Sequence, residues 1–446
     1  MSRSGEDDTI VALATAEGRS AIAVVRVSGM SAFEIVEQHV TPWPTQHRHA
    51  TRCTVRDENG DVLDEAIVTT FVAPASFTGE DVVEIATHGG TIVPTLVLAT
   101  LVTSGARVAL SGEFTRRAVL NGKLDLVQAE AIGDLIDSSS RAMQRMAMTQ
   151  LDGGLSRRID ELRDRLIGIE ALIAYDIDFP EEDDGPIPRA RVETATDEVI
   201  SSLTALLATV PAGELVRTGA LIVIAGAPNA GKSSLFNAML GRSRAIVTEV
   251  PGTTRDAIEA VLDTGRWPLR LVDTAGLRDT TDVVERLGIE VATRYLVSAD
   301  VVLACGDSAD DVALTTNIVS RLTDAPVLGV RTKADLSSSS EDAMVSAMTG
   351  QGVARLLDTI AKTISERYGS IPLDAPILSR ERHRFCVEQA RQEMLAFATA
   401  LKDEGLPASV AAVHLRSAAN ALADVTGTID VEDVLDRLFR TFCVGK

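Results

Sequence analysis

The run Gly226-Ala-Pro-Asn-Ala-Gly-Lys232-Ser233 has the residue types and the spacing to hold a chain of phosphates. It reads G-x-x-x-x-G-K-S, follows directly on the apolar residues 221–225, which have the character of a strand, and leads into a helical pattern. Gly226 and Gly231 let backbone N–H groups close around a β-phosphate. Lys232 can reach the β- and γ-oxygens, Ser233 can ligate magnesium, and the following helix offers the positive end of its dipole.

Further motifs follow in order. Residues 269–272 read as a strand ending in Asp273-Thr274-Ala275-Gly276, where the carboxylate suits a water-mediated magnesium contact and the Gly276 N–H a γ-phosphate. Upstream of it, the run from Pro251 to Asp256 contains Thr253 and Thr254 and so supplies a threonine able to complete the magnesium shell. The strand 327–330 leads to Thr332-Lys333-Ala334-Asp335, and the Asp335 carboxylate can accept two hydrogen bonds from a guanine edge that adenine cannot donate. Ser346-Ala347 follows as a guanine-backing loop. Each later motif is weak alone; together, in order and at domain-sized spacing, they describe a GTPase. The nucleotide-contacting set is Asn229, Ala230, Gly231, Lys232, Ser233, Ser234, Thr248, Thr253, Thr254, Asp273, Thr274, Ala275, Gly276, Thr332, Lys333, Asp335, Ser346 and Ala347, with Lys232 also acting in catalysis.

Some positions depart from the common pattern. Thr332 stands where asparagine is usual, which bears on base affinity and not on base identity. Leu277 follows Gly276 and cannot orient water, so another group must position the nucleophile; Arg278, Asp282 and Glu285 lie just downstream. Asn229 has two readings. One is an Asx turn that stabilises the loop; the other is a ligand to a monovalent cation beside the phosphates, in the place of an arginine finger.

These groups need elements to position them. Residues 219–367 alternate strand and helix, the mark of an α/β block. Residues 10–120 mix short strands, at 22–27 and 82–86, with a helix over 92–103. From 124 to 217 strand signals fade. Leu155, Ile159, Leu162, Leu166, Ile169 and Ile173, spaced four and three apart, predict one long amphipathic helix. The acidic run 176–184, ending in Gly185-Pro186, is expected to break it as a solvated loop. Helical periodicity returns after Pro372 and Pro376 at Ala390, Met394, Phe397 and Leu401. A last helix carries Val431, Val434, Leu435, Leu438 and Phe439, with Asp430 as its cap. Helical stretches on both sides of one α/β block read as a helical domain interrupted by an insertion.

The chain has 446 residues, enough for about three domains. Its net charge of −21 repels phosphate backbones, which argues against nonspecific nucleic-acid binding and leaves room for one local basic patch or a basic partner. The cysteines, at 53, 305, 386 and 443, lack C-x-x-C spacing, which argues against a disulfide scaffold and a structural zinc site. A polar, acidic N-terminus excludes an ordinary signal peptide, and no run of about eighteen apolar residues occurs. The expectation is a cytoplasmic protein that does not span a membrane.

The segments outside the GTPase motifs narrow the reading. Residues 74–85 (PASFTGEDVVEI), His88-Gly-Gly90, Gly112-Glu-Phe-Thr115, residues 120–126 (LNGKLDL), Gln128-Ala-Glu-Ala131 and the closing Phe442-Cys-Val-Gly-Lys446 are long and specific. With these the chain resembles the MnmE (TrmE) family of tRNA modification GTPases over essentially its whole length. It departs from that pattern at Thr15-Ala-Glu-Gly18 and at Ser111, both positions of turn chemistry.

The resemblance implies a multidomain fold. An α+β N-terminal domain, residues 1–120, is similar to tetrahydrofolate-binding modules and mediates homodimerisation. An α-helical central domain comes in two parts, 121–217 and 372–446, the second ending in the Cys-Val-Gly-Lys tail. A Ras-like α/β GTPase domain with a P-loop and a mostly parallel sheet, 218–371, is inserted between them. The family acts with the flavoprotein MnmG and places a carboxymethylaminomethyl or aminomethyl group on C5 of the wobble uridine of certain tRNAs. The carbon comes from 5-formyl- or methylene-tetrahydrofolate and the nitrogen from glycine or ammonium; tRNA is met mainly through the partner. GTP hydrolysis in the family needs potassium and face-to-face pairing of the GTPase domains.

Residue by residue, the resemblance assigns Arg26, Glu84, Lys123 and Lys446 to folate. A carboxylate can read the donor edge of a pterin and cations can meet its glutamate tail, although each residue singly also reads as a surface charge. Asn229, Thr248, Val250 and Thr253 match a potassium site, and Ser233 and Thr254 the magnesium ligands. Glu285 matches the group that orients the hydrolytic water. Cys443 matches a cysteine implicated in the modification chemistry; without the resemblance it reads as a small buried hydrophobe. A competing reading is a regulatory GTPase switch of the ribosome-assembly type. Such a switch has no reason to carry residues 1–126 or the tail 443–446.

Overall fold

The computed structural model describes residues 8–178, 189–242, 258–265, 267–273, 293–336, 344–369, 374–402, 408–427, 442 and 445. By contacts the chain forms two units, Met1–Gly133 with Thr426–Lys446, and Asp134–Val425. Each has its own sheet.

In the first unit β-branched runs build β1 (Ile10–Leu13), β2 (Ile22–Ser28), β3 (Val40–Thr41), β4 (Thr51–Arg56), β5 (Val62–Phe71), β6 (Val82–His88) and β7 (Arg107–Val108). Helices α1 (Ala32–Glu37), α2 (Val93–Thr103), α3 (Glu113–Leu120) and α4 (Leu126–Ile136) complete it. The strand order is β3-β4-β5-β6-β2-β1-β7, antiparallel except where β1 meets β7. The expected strands at 22–27 and 82–86 and the helix from 92 are present as β2, β6 and α2. The period of two sorts each strand. Val25, Val27, Val83 and Ile85 turn inward onto Val97 and Leu101 of α2 and Ile35 and Val36 of α1. Ile10 and Ala12 turn to the other side and meet Phe114 of α3. Arg26, opposite Ala12 in the register, shares that second side.

A row of alternating charges fastens α3 to the sheet. Arg117 donates to Glu80 at 3.1 Å and to Glu113 at 3.1 Å. Glu113 also takes two bonds from Arg107, at 2.7 and 3.1 Å, and the Leu110 N–H at 2.7 Å. Ser28 and Thr78, both fully buried, close the row on Glu80. Burial pushes the Glu113 carboxyl up, but the Arg107 hydrogen bonds, the Leu110 N–H and the charges of Arg107 and Arg117 outweigh it and hold the carboxyl below its ordinary value of 4.5. A lowered folded value adds stability that is fully present above pH 4.5 and lost as pH falls through the folded value. Glu113→Gln is therefore expected to destabilise the protein by about 3 kcal/mol at neutral pH. The gap between the two proteins should close below pH 4.5; calorimetry that finds it constant from pH 7 to pH 3 contradicts this account.

The C-terminal end also belongs to this unit. Phe442 packs with Leu126 and Ala129 of α4. Gly445, at φ 98°, lies so close to β1 that an added Cβ would stand 2.2 Å from the Leu13 carbonyl oxygen. Only glycine fits there.

The second unit opens with α5 (Arg141–Leu151), α6 (Gly154–Asp178), α7 (Arg189–Leu207) and α8 (Val210–Thr218). The six periodic residues from Leu155 to Ile173 are all buried along α6, as their spacing requires. The helix continues through Asp176 to Asp178, where the sequence suggested a loop, because extending an existing helix by a residue is far easier than nucleating one. Residues 179–188 lie outside the described part. Within the run 189–218 one window of eighteen residues reaches a mean hydropathy of 1.6, long and apolar enough by composition to cross a membrane, a feature not singled out from the sequence. It folds as α7 and α8, which bury Val192, Val199, Leu203 and Leu215 in the protein.

The α/β block follows as β8 (Ala220–Gly226), α9 (Lys232–Arg242), β9 (Ile258–Asp263), β10 (Pro268–Asp273), β11 (Val301–Gly306), α10 (Ala309–Val319), β12 (Val327–Arg331) and α11 (Val353–Tyr368). Helices α12 (Glu381–Lys402) and α13 (Ala408–Thr426) end the unit; α12 buries Ala390, Met394 and Phe397. The sheet runs β12-β11-β8-β10-β9, parallel apart from β9. Strands β8 and β11 are apolar almost throughout because both of their faces are covered. Ala142 and Met146 of α5 and Leu215 and Val216 of α8 join Ile222, Leu262 and Leu269 of the sheet in a single core. The returning chain is tied down beside them. Gln150 donates to the Ile377 carbonyl, Arg217 to the Ser379 carbonyl, and the Leu378 N–H to Thr209 Oγ1. The last helix expected, around Val431–Phe439, lies outside the described residues.

Candidate functional site

In the second unit the carboxyl ends of the parallel strands converge, the edge where open α/β sheets hold ligands. Strand β8 ends at Gly226, β10 at Asp273, β11 at Gly306 and β12 at Arg331. The loop 226–231 turns sharply into α9. Gly226 packs against β11 so closely that a Cβ would stand 2.5 Å from the Cys305 carbonyl oxygen, so no larger residue fits. Cys305 itself is fully buried and its thiol is pushed up to about 12 by that burial; it is packing, not a nucleophile.

Lys232 is buried and its Nζ donates to the Gly226 and Ala227 carbonyls at 3.0 and 2.9 Å, which holds the ammonium across the mouth of the loop. Ser233 and Ser234 are exposed in the first turn of α9. Asn229 adopts the left-handed conformation at φ 62°, which asparagine tolerates, and its side chain is exposed. No Asx turn forms at Asn229 among the described residues. Asp273 is buried at the end of β10.

The base motif is wired to the phosphate loop. Thr332 Oγ1 lies 2.8 Å from the Ala230 carbonyl and 3.1 Å from that of Gly306, sharing one proton between them. This accounts for the departure from asparagine: the buried hydroxyl makes a link to the loop that requires only one donor. Lys333, left-handed at φ 58°, pairs with Asp307 at 3.0 Å. That ion pair's hydrogen bond, with the Lys333 charge, holds the exposed Asp307 carboxyl below its usual range. Ser346, fully buried, donates to Asp335 Oδ1 at 2.6 Å, so the loop that carries Ser346 also orients the Asp335 carboxylate. Sequence reasoning missed Asp307 and this use of Ser346, since neither has a local signal. Thr248, Val250, Thr253, Thr254, Thr274, Ala275, Gly276 and Glu285 lie outside the described residues.

In the first unit the structure brings together two of the folate-matched residues. Arg26 and Glu84 are register partners on β2 and β6, joined at 2.9 and 2.8 Å through Glu84 Oε1. The Arg26 guanidinium lies 5.7 Å from the ring centres of both Phe77 and Phe114. Phe77 belongs to the loop 72–81, which Lys123 fastens by donating to the Pro74 carbonyl at 3.0 Å and Asn121 by donating to the Thr78 carbonyl at 2.7 Å. Cys443 and Lys446 lie outside the described residues, but their neighbours Phe442 and Gly445 rest on this unit. Phe77, Phe114 and the Glu80–Arg117 pair were not read as site residues from the sequence. Their partners are thirty or more residues away along the chain, beyond any motif.

Comparison with known proteins agrees with this geometry. The MnmE helical domain matches residues 126–443, and the N-terminus of the GTP-binding protein TrmE matches residues 9–123. The tRNA modification GTPase MnmE of Salinibacter ruber is 40% identical, covering 99% of this chain and 100% of its own length. That of Aquifex aeolicus is 37% identical, covering 98% and 100%. The G domain of the T. maritima FeoB iron transporter is 23% identical over 32% of this chain and 96% of its own, with a TM-score of 0.26, a likeness too low to carry an argument. With a phosphate loop and guanine motif joined by direct hydrogen bonds and full-length relatives at this level of identity, the chain is a GTP-hydrolysing enzyme of tRNA modification and belongs to the MnmE family.

Proposed function

We propose that this GTPase is potassium-dependent and acts as a homodimer with the flavoprotein MnmG in the cytoplasm. Together they build a carboxymethylaminomethyl or aminomethyl group on C5 of the tRNA wobble uridine from a folate one-carbon unit. The observation that carries the reading is a convergence in the first unit. The C-terminal end rests on Leu13 of β1, and the neighbouring Ala12 is the register partner of Arg26, which pairs with Glu84. Gly445, next to Lys446 in the sequence, is thereby held near the Arg26–Glu84 pair.

The residues present fit a folate. Glu84 Oε1 is engaged by Arg26, while Oε2 takes no hydrogen bond among the described residues and can accept from the donor edge of a pterin. Lys123 and Lys446 would meet the acidic tail of the ligand, and Cys443 is the family-matched cysteine for the modification chemistry. The folate, when bound, supplies the one-carbon unit.

Ser233, at the start of α9, and Thr254 hold magnesium; Asn229, Thr248, Val250 and Thr253 hold potassium. The two ions, when bound, neutralise charge on the phosphates. Lys232 holds the β- and γ-oxygens, Asp335 reads guanine, and Glu285 orients water. The division into 1–120, 121–217, 218–371 and 372–446 belongs to the same reading.

Nucleoside analysis of wobble uridines in tRNA from cells lacking this protein is the direct test, with loss of the C5 group expected and unchanged uridines contradicting it. Asn229→Ala is expected to abolish the gain in GTP turnover that potassium gives over sodium while leaving nucleotide affinity within about threefold, because the exposed carboxamide is assigned to the ion and phosphate binding by the loop needs no carboxamide at this position. Equal turnover of the wild type in the two salts removes the potassium assignment.

A further inference from the structure

We propose that Asp307 is a positioning residue of the nucleotide site, holding the Lys333 side chain across the carboxyl edge of the sheet so that its stem covers the face of the bound base. The inference deepens the GTPase reading and rests on Asp335 as the reader of the base edge.

Strand order supplies the geometry. The phosphate loop leaves β8 and Asp335 follows β12, with β11 between those two strands. A nucleotide held at both points must cross the end of β11. That end is Gly306, the register partner of Arg331 on β12; Asp307 follows the one directly, and Lys333 comes shortly after the other. The ion pair between them, 3.0 Å from Nζ to Oδ2, spans the ends of the two strands.

Both partners stand on fixed backbone. Gly306 lies so close to the start of α10 that a Cβ would stand 2.6 Å from the Val312 nitrogen. Ser308 caps α10 by accepting from the Asp311 N–H at 3.2 Å, and Arg331 Nε donates to the Asp307 carbonyl at 3.4 Å. On the other side the Thr332 N–H donates to the Gly306 carbonyl at 2.8 Å and the Ala334 N–H to the Val345 carbonyl at 3.2 Å. Lys333 between them is kept at φ 58°, a conformation that costs a residue with a Cβ and persists where the surroundings fix it, as at ligand clamps.

Stability does not account for the pair. The Lys333 and Asp307 side chains are 38% and 50% exposed, and ion pairs this wet contribute little to folding. What the carboxylate fixes is the course of a long flexible stem. A free lysine loses rotamer freedom each time a ligand immobilises it, whereas a tethered one has lost it beforehand. Its methylenes present an apolar surface suited to the face of a purine, whatever groups stand on the edge. Edge and face are then met by different residues, Asp335 and Lys333.

The test measures release of a fluorescent GDP from the full chain and its displacement by GTP and by tripolyphosphate, which has phosphates and no base. Asp307→Ala is expected to speed release roughly 3- to 10-fold and to weaken GTP to match, with tripolyphosphate affinity and unfolding temperature near wild type. Asp307→Asn, whose amide oxygen still accepts from Nζ, should recover most of the loss. In a Lys333→Ala background Asp307→Ala should add nothing, because Asp307 acts only through that side chain. Wild-type release in Asp307→Ala overturns the inference, as do additive losses in the double variant. Parallel loss of GTP and tripolyphosphate would make Asp307 a brace of the phosphate loop and overturn it equally. Asp335→Asn, run alongside, separates two failures. Unchanged GTP affinity there overturns the base reading and this inference together; weakened GTP there with wild-type release in Asp307→Ala overturns the inference alone.

Discussion

Glu285→Ala is expected to cut single-turnover GTP hydrolysis by roughly 10²–10⁴-fold, about 3–5 kcal/mol in barrier, while GTP affinity stays near wild type. Leu277 follows Gly276 and has no group that can hold water, so the nucleophile is positioned from elsewhere; Glu285 lies nine residues past Gly276. The groups proposed to hold the nucleotide are other residues. Lys232 is fixed across the phosphate loop by the Gly226 and Ala227 carbonyls, and Thr332 and Ser346 brace the base motif through bonds of their own. Removing a water-orienting carboxylate therefore subtracts from the barrier side and leaves binding in place. A solvated surface charge at this position predicts a change below about threefold. Single-turnover measurement at saturating GTP and potassium separates the two, because it does not depend on product release. A near-normal rate would move attention to Arg278 and Asp282.

Asp335→Asn is expected to weaken GTP by about 1–3 kcal/mol, roughly 5- to 150-fold, and to favour xanthosine triphosphate. Ser346 fixes one carboxylate oxygen at 2.6 Å, so the group cannot turn away from the base when its charge is removed. The amide replaces an acceptor by a donor, which opposes the guanine amino group and suits the carbonyl that xanthine carries in its place. Thr332→Val serves as the control. Its lost bonds run to the Ala230 and Gly306 carbonyls and not to a base, so it should weaken both nucleotides alike. Unchanged GTP affinity in Asp335→Asn, measured by titration calorimetry with both nucleotides, would show that another group reads the base.

Much of this protein is written locally. Gly226 to Ser233, Asp273 and the Thr332–Asp335 run carry their chemistry in contiguous residues, so the sequence alone determined a guanine nucleotide site and its order of parts. The same holds for α6, whose four-and-three spacing from Leu155 to Ile173 matches its buried face, and for β8 and β11, whose unbroken apolar character marks strands covered on both sides. Spacing within one element determines which face is buried, because the helix and strand periods are properties of the backbone itself.

What joins distant residues was decided by the tertiary structure. No local pattern pairs Arg26 with Glu84, fifty-eight residues on, or brings the rings of Phe77 and Phe114 to 5.7 Å from that guanidinium. The row Glu80–Arg117–Glu113–Arg107, the Thr332 bond to Ala230 and the seat of Gly445 on Leu13 depend in the same way on strand order and on which helix covers which side of a sheet. An isolated charge or hydroxyl in the sequence is compatible with a solvated surface and with a buried pair alike. Its partner becomes determined only when packing removes water and leaves each buried donor a single acceptor within reach.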